Sequence, residues 1–339
     1  MKRNIYLLDC TLRDGGFALE GKNSQIFSYS KEVRSNVAQN LTDAGVDIIE
    51  LGTLEAGEVS KRGYAIFPNM NEISKLIPKN ADKKQMYAVF FRGPDIPIEY
   101  LPDWNEELCC LIRLGVRYSE MDKSLDYCRR LCEKGYLVSV QPIVTMRYTD
   151  TELEKVIEAA NEINAYSLYF VDSYGSMFAD DVKRIFNKYD KALKKEIKIG
   201  FHAHNNMGLA SSNIIDMLSI ESGRDVIIDA CCMGMGQGAG NLQTEVIATY
   251  LNEKYKKKYD FMEIMRVCEY VSAFWQDNLW GYSLTTMIPA VFGVAYKYGI
   301  VLRNEYGYSY EKIANILKNV PDEMKHRYTK ENLEKLLKG

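Results

Sequence analysis

The sequence lacks an apolar run long enough to cross a membrane. Its longer apolar runs, such as residues 86–91, fall far short of the roughly 20 residues that a spanning helix needs. A basic excess is also absent, because 43 Lys and Arg residues stand against 46 Asp and Glu residues, for a formal net charge of −3. Nucleic-acid binders usually carry such an excess, so we expect neither a nucleic-acid partner nor a membrane partner.

Cysteine is present eight times, but no two cysteines form a CxxC motif. The adjacent pairs at positions 109–110 and 231–232 cannot easily form internal disulfides. The first strand-like stretch follows the N-terminus directly, without the apolar segment and small-residue cleavage site of a secretory signal. We therefore expect reduced, mostly buried thiols in a cytoplasmic protein.

Short apolar, β-branched stretches alternate with amphipathic stretches through the first part of the chain. Eight strand candidates begin near residues 5, 46, 86, 108, 136, 167, 198 and 225. Continuous apolar runs are typical of strands that are buried on both faces of a parallel sheet. The eightfold alternation predicts an α/β fold, a (β/α)8 TIM barrel. A doubly wound open sheet is the alternative, but no GxGxxG motif follows the first strand.

The alternation ends at about residue 250, and the remaining sequence is helix-like. We predict a barrel domain over residues 1–250 and a helical C-terminal extension over residues 251–339, packed beside the barrel mouth. The stretch from Trp275 to Tyr298 is the candidate region for a homodimer contact or a lid contact.

Histidine is scarce, and two of the three histidines stand at the end of the seventh predicted strand. His202 and His204 are two residues apart, so on a strand both imidazoles point to the same face. The first strand ends in Arg13 and Asp14 followed by two glycines, a tight turn that can direct Asp14 inward. Because the active side of a barrel lies at the carboxyl ends of its strands, we predict that these side chains meet there.

Two imidazoles and one carboxylate form a facial ligand set with open positions for a divalent cation. Mn²⁺ or Mg²⁺ suits such a set, and the two imidazoles also admit Zn²⁺, Co²⁺ or Fe²⁺. The alternatives are a capping or turn role for Asp14 and hydrogen-bonded core positions for the histidines.

A glycine-rich segment follows the eighth predicted strand, with glycines at positions 234, 236, 238 and 240 before Asn241. Glycines at alternate positions let the backbone come close to a ligand or to another loop. We predict a substrate or metal contact here, with Asn241 as a fourth metal ligand or as a hydrogen-bonding residue for the substrate. A flexible turn into a helix is the alternative.

Together these motifs resemble the DRE-TIM metallolyase superfamily. They are Leu12-Arg-Asp-Gly15, His202-Ala-His204 and Gly238-Ala-Gly-Asn241, which follow the first, seventh and eighth predicted strands in that order. The superfamily contains metal-dependent 4-hydroxy-2-oxoacid aldolases, 3-hydroxy-3-methylglutaryl-CoA lyase, and the isopropylmalate and homocitrate synthases. Segments 171–177 and 201–206 are most similar to the 4-hydroxy-2-oxovalerate aldolase branch, and the resemblance covers roughly residues 5–250.

The resemblance implies that Asp14, His202 and His204 hold one divalent cation, which is Mn²⁺ or Mg²⁺ in that branch. It also implies that this cation binds the oxygens of a 2-oxo acid such as pyruvate. It implies that Arg13 stabilises the enolate oxygen as charge develops there. The further side chains expected at the same mouth as substrate-binding residues are Glu50, Asp172 and Ser173. Glu50 can equally be an ion-pair partner of Arg13, and Arg113 can be structural or can bind a carboxylate.

The sequence departs from the aldolase pattern directly after the Arg-Asp-Gly turn. The aldolases carry a His there as catalytic base, and this chain has Phe17. Tyr282 lies near a tyrosine that the family uses, so we predict a catalytic role for it, with Tyr174, Cys10 or a metal-bound water as alternatives. The third histidine, His326, is expected to have a surface or packing role.

The implied function is a divalent-metal-dependent aldolase or lyase that cleaves or forms a carbon–carbon bond next to a 2-oxo acid. One alternative is a Claisen-type synthase that condenses an acyl-CoA with a 2-oxo acid, and another is a base-deficient, non-catalytic homologue. Related aldolases pair with an aldehyde dehydrogenase, which makes such an enzyme a candidate partner.

Overall fold

The structure is a computed structural model that describes residues 3–15, 29–55, 65–278 and 280–338. Within these residues one sheet contains nine strands, and eight of them close into a barrel of parallel strands. The strands are β1 (Ile5–Asp9), β2 (Ile48–Leu54), β3 (Ile66–Phe67), β4 (Met86–Gly93), β5 (Leu111–Val116), β6 (Leu137–Pro142), β7 (Ser167–Asp172), β8 (Lys198–Ala203) and β9 (Val226–Ala230). The two-residue β3 pairs with β2, and β1 closes the ring by pairing with both β2 and β9. The predicted (β/α)8 barrel is confirmed.

Helices follow most of the barrel strands and continue to the C-terminus. They are α1 (Lys31–Asp43), α2 (Met70–Ser74), α3 (Met121–Glu133), α4 (Asp150–Glu162), α5 (Ala179–Ala192), α6 (Ala210–Ser219), α7 (Thr244–Tyr255), α8 (Phe261–Asn278), α9 (Leu284–Val291), α10 (Lys297–Asn304), α11 (Tyr310–Lys318), α12 (Asp322–Lys325) and α13 (Lys330–Lys338). Between β4 and β5 the connection contains a single 3₁₀ turn, Ile98–Tyr100, where a regular barrel has a helix. None of the described helices is both long and apolar enough to cross a membrane.

Buried apolar side chains form two clusters. The larger cluster fills the barrel and the layer between the strands and helices, and α8 contributes Ile264, Val267 and Val271 to it. The smaller cluster lies within the C-terminal helices and runs from Ile288 to Leu333. The helical C-terminal region is therefore confirmed, while the predicted domain boundary at residue 250 stays a prediction.

Gly200 in β8 has no side chain, and this leaves room for an aromatic ring inside the barrel. A Cβ atom on Gly200 would lie 2.3 Å from the ring of Tyr169, which is fully buried in β7. The Tyr169 hydroxyl donates a hydrogen bond of 2.9 Å to Asp229 Oδ1 in β9. Gly200 thus allows a tyrosine to reach across the barrel interior to a buried carboxylate.

We expect Gly200→Ala to lower the free energy of unfolding by about 1–3 kcal/mol, because the added methyl group overlaps a ring that cannot move without losing its hydrogen bond. Urea denaturation measures this change. Gly115→Ala in β5 is the matched control, since its Cβ would lie 3.0 Å from the ends of Ile143 and Phe90. Equal losses in the two variants would contradict the role given to Gly200.

Candidate active site

The turn after β1 directs two charged side chains into the barrel mouth. The carbonyl oxygen of Cys10 accepts hydrogen bonds from the amides of Arg13, Asp14 and Gly15 at 3.2, 2.8 and 3.3 Å. Because three consecutive amides donate to one oxygen, the chain makes a tight turn here. Both Arg13 and Asp14 are buried at the carboxyl end of the barrel and form an ion pair with each other.

Asp14, His202 and His204 come together as the sequence predicts. Each side chain offers a ligand atom that lies within 4.8 Å of the other two. The distance from His202 Nε2 to Asp14 Oδ2 is 3.5 Å, and the two imidazole centroids are 5.0 Å apart. His202 lies in β8 and His204 directly follows it, and the extended backbone there places both rings on one face, as a facial ligand set requires.

Asn241 lies beside this donor set at the end of the glycine-rich segment. Its Nδ2 donates a hydrogen bond of 2.6 Å to Asp14 Oδ2, while its Oδ1 is buried and has no hydrogen-bond partner among the described residues. A buried carbonyl oxygen without a partner is unfavourable in a folded protein unless another group satisfies it. Asn241 is thus a neighbour of the donor set with one unsatisfied amide oxygen, and it suits a cation that takes oxygen and nitrogen ligands.

The glycines in this segment let the backbone fold closely on itself. A Cβ on Gly236 would lie 2.3 Å from Asn241 Nδ2, and a Cβ on Gly240 would lie 1.9 Å from the carbonyl oxygen of Gly234. The amide of Asn205 donates to the carbonyl of Gly240 at 2.8 Å, which ties the segment to the end of β8. The alternate glycines therefore bring Asn241 next to the two histidines.

Burial and neighbouring charges change the pKa values of the three candidate ligands. Burial lowers the pKa of His204 to about 4, so its imidazole is neutral and keeps a free lone pair at pH 7. Burial alone raises the pKa of Asp14, but Arg13 and His202 hold it well below its usual range. Burial alone lowers the pKa of His202, but hydrogen bonds with Asp14 and Asp229 raise it well above its usual value. The negative charges of Asp14 and Asp229 therefore favour a positive charge at His202.

Six buried side chains form a closed ring of ion pairs and hydrogen bonds around the mouth. Arg13 Nε and Arg113 Nη1 each donate to Glu50 at 2.6 Å, one to each carboxylate oxygen. Arg113 also pairs with Asp229, whose Oδ2 lies 2.9 Å from His202 Nδ1. In order around the ring, the members are Asp14, Arg13, Glu50, Arg113, Asp229 and His202.

Asp229 is a site residue that the sequence analysis missed. It accepts a hydrogen bond from His202 Nδ1–H, so in the neutral form of the imidazole the lone pair lies on Nε2, the nitrogen that faces Asp14. A signal was available, because Asp229 is a charged residue in the otherwise apolar strand β9. Arg113 is its buried partner, and the Arg113 guanidinium lies 4.9 Å from the centre of the Tyr169 ring.

Two predicted substrate-binding residues have protein partners. The two carboxylate oxygens of Asp172 accept hydrogen bonds from the amides of Ser176 and Met177 at 2.8 and 3.0 Å, which hold the loop after β7. Ser173 Oγ accepts from the amide of Val144 at 3.0 Å. The substrate-binding role of Asp172 and Ser173 stays a prediction.

The predicted proton-transfer residues lie in different places. Tyr282 precedes α9 and is 65% exposed, so the structure does not bring its side chain into the buried donor set. Phe17 lies outside the described residues. Tyr174 is buried, and its hydroxyl lies 3.2 Å from the carbonyl oxygen and 3.3 Å from Nδ1 of His326, with the two rings stacked. The C-terminal helices thus contact the barrel mouth through His326.

Asn206 links the loops around the mouth. Its Nδ2 donates a hydrogen bond of 2.9 Å to the carbonyl oxygen of Tyr174, after β7. Its Oδ1 accepts a hydrogen bond of 2.8 Å from the amide of Ala239, in the glycine-rich segment after β9. One buried amide side chain after β8 therefore connects the loops that follow three neighbouring strands.

Known proteins resemble this chain in sequence and in fold. The HMGL-like family model matches residues 114–271. A 4-hydroxy-2-oxovalerate aldolase of Thermomicrobium roseum is 32% identical over 271 residues, which are 78% of this chain and 72% of that protein. One from Geobacillus genomosp. 3 is 30% identical over 276 residues, 80% of this chain and 77% of that protein. The crystal structure of the HMG-CoA lyase from Brucella melitensis has the same fold, with a TM-score of 0.62 and 17% identity over 81% of this chain and all of that one.

We expect Asp229→Asn to weaken the binding of Mn²⁺ by roughly 10–100-fold, because His202 loses the carboxylate that fixes its tautomer and orientation. Isothermal titration calorimetry on metal-free protein measures this affinity. Asp225→Asn is the control, since Asp225 precedes the same strand and bonds the amide of Asn4 at 2.7 Å. Unchanged Mn²⁺ affinity in a folded Asp229→Asn protein would contradict the positioning role.

Proposed function

Because the chain belongs to the HMGL-like family, we propose that it is a divalent-metal-dependent carbon–carbon lyase that cleaves a 4-hydroxy-2-oxo acid into a 2-oxo acid and an aldehyde. The lyase activity follows from the family and from its aldolase relatives. The substrate class rests on one observation, the convergence of Asp14, His202 and His204 beside Arg13 at the barrel mouth.

The donor set supports a divalent cation, and Mn²⁺ or Mg²⁺ is the proposed one. Asp14, His202 and His204 would hold it, and the neighbouring Asn241 has an amide oxygen without a partner among the described residues. When bound, such a cation supplies Lewis-acid polarisation of the oxygens of a 2-oxo acid.

Arg13 is the residue that can stabilise the enolate. Its Nε is bound to Glu50 and its Nη1 to Asp14, while in the described part of the chain its Nη2 makes no hydrogen bond. The side chain also lies against the Phe90 ring, with its guanidinium carbon 4.3 Å from the ring centre. Burial alone lowers the pKa of Arg13, but Asp14 and Glu50 raise it above its usual value. A fixed, permanently charged guanidinium with a free N–H group suits a developing oxyanion.

Glu50 supports this role indirectly. Its Oε2 accepts a hydrogen bond from Arg13 and its Oε1 accepts one from Arg113, so each carboxylate oxygen holds one guanidinium group and the side chain orients Arg13. We therefore assign Glu50 to the positioning of Arg13 rather than to direct contact with the substrate.

Location and partners remain predictions of the sequence. The eight free cysteines support the cytoplasmic location. The homodimer and the aldehyde dehydrogenase partner stay predictions.

We expect purified protein to release pyruvate from 4-hydroxy-2-oxopentanoate when Mn²⁺ is present, because the donor set and Arg13 favour the pyruvate enolate. Coupling to lactate dehydrogenase measures the rate. EDTA should abolish the reaction and excess Mn²⁺ should restore it. A rate that EDTA leaves unchanged would overturn the metal-dependent mechanism.

The alternatives give different outcomes in matched assays. Thiol release from acetyl-CoA with a 2-oxo acid, without pyruvate formation, would indicate a Claisen-type synthase. A non-catalytic homologue would neither release pyruvate nor exchange the methyl protons of pyruvate in D₂O.

We expect Arg13→Lys to lower kcat by about 10²–10³-fold, because an ammonium group cannot contact Glu50, Asp14 and the enolate oxygen together. Steady-state kinetics measures kcat, and circular dichroism checks that the variant is folded. Arg129→Lys, in an exposed position on α3, is the control and should retain activity. Equal kcat values for the two variants would exclude Arg13 from the reaction.

A further inference from the structure

Two thiols lie side by side next to residues of the candidate metal site. The Sγ atoms of Cys10 and Cys231 are 3.4 Å apart, and both residues are fully buried. Their proximity follows from the sheet register, because Asp9 in β1 pairs with Ala230 in β9 and each cysteine is the next residue along its strand. The thiol pair is therefore fixed by the barrel itself.

The thiol pair contacts the residues of the metal site. Asn241 Nδ2 lies 3.3 Å from Cys231 Sγ, and Cys10 Sγ belongs to a group with His202 and Asp229 whose ligand atoms lie within 4.8 Å of one another. His202 thus belongs to two groups of possible ligands. One group offers oxygen and nitrogen atoms, and the other adds sulfur.

The sulfur spacing suits a cation that prefers thiolates. Two sulfurs on a tetrahedral Zn²⁺ ion, with Zn–S bonds of about 2.3 Å, lie about 3.8 Å apart. The thiols of Cys10 and Cys231 need to separate by only a few tenths of an ångström to reach that distance. Mg²⁺ and Mn²⁺ prefer oxygen ligands, so they have little tendency to displace the protons of two buried thiols.

We propose that Cys10, His202 and Asp229, with the neighbouring thiol of Cys231, form a second cation site, selective for thiophilic ions such as Zn²⁺ and Cd²⁺. Binding replaces the protons of the two thiols, which leave to solvent, and forms two metal–thiolate bonds, one bond to imidazole nitrogen and one bond to carboxylate oxygen. No electron is transferred.

Occupation of this site excludes a cation from the Asp14–His202–His204 set. A neutral imidazole carries one lone pair, so His202 can ligate one cation at a time. If Nδ1 ligates on the thiol side, the hydrogen bond to Asp229 is lost and the proton moves to Nε2, the nitrogen that faces Asp14. A thiophilic ion therefore inhibits the proposed lyase, and this consequence alone rests on the proposed function.

Cd²⁺ is the probe, because Cd–thiolate bonds give an ultraviolet charge-transfer absorption that does not depend on activity. The starting protein carries Cys110→Ser, Cys132→Ser and Cys268→Ser, which remove the three partly exposed thiols. We expect CdCl₂ to produce this absorption at one ion per chain in the reduced, metal-free protein. Adding Cys10→Ser or Cys231→Ser should remove it, whereas adding Cys128→Ser, at an equally buried cysteine of α3, should leave it unchanged.

Mn²⁺ calorimetry separates loss of the site from misfolding. The Cys10→Ser/Cys231→Ser protein should still bind Mn²⁺, and Cd²⁺ should weaken Mn²⁺ binding roughly tenfold more strongly in the parent protein than in this variant, in which Cd²⁺ competes only at the Asp14–His202–His204 set. Absorption that persists without Cys10 and Cys231, or equal competition by Cd²⁺ in both proteins, would overturn the proposal. If the cadmium absorption follows the two cysteines but no lyase activity is found, the proposed function fails and the thiol site stands.

Discussion

The buried ring of charges at the barrel mouth is the interaction on which the site depends. Three carboxylates and two guanidinium groups meet there, so the ring carries one excess negative charge when His202 is neutral. An unbalanced buried charge is costly, and a proton or a cation at His202 offsets it. The ring joins side chains from the turn after β1 and from β2, β5, β8 and β9, so it exists only in the closed barrel.

The sequence predicted the features that are local along the chain. The buried strands appear as continuous apolar runs, and the two-residue spacing of His202 and His204 places both on one face. Asp229 was not predicted as a partner of His202, because their contact depends on where β9 lies beside β8 and no local pattern encodes that. The helix missing between β4 and β5 also left no clear signal, since helix-like and irregular polar segments look alike there.

Long-range packing also explains why the place of His326 was not foreseen. The turn that carries it is held by the Tyr298 hydroxyl, which donates to the carbonyl oxygens of Met324 and Arg327 at 3.0 and 3.1 Å. The amide of Ala295 donates to the carbonyl of Lys325 at 2.9 Å in the same turn. A small second core of helices therefore fixes His326 against Tyr174, a residue far away in the sequence. The C-terminal region therefore lines one side of the barrel mouth.

The link made by Asn206 has a consequence for ligand binding. A glycine-rich segment has many accessible conformations when free, and ordering it on binding would consume conformational entropy. Here Asn206 restrains this segment at Ala239 and joins it to the loop after β7 before any ligand arrives. The entropy of that segment is lost during folding of the barrel, so more of the interaction energy with a ligand is expressed as affinity.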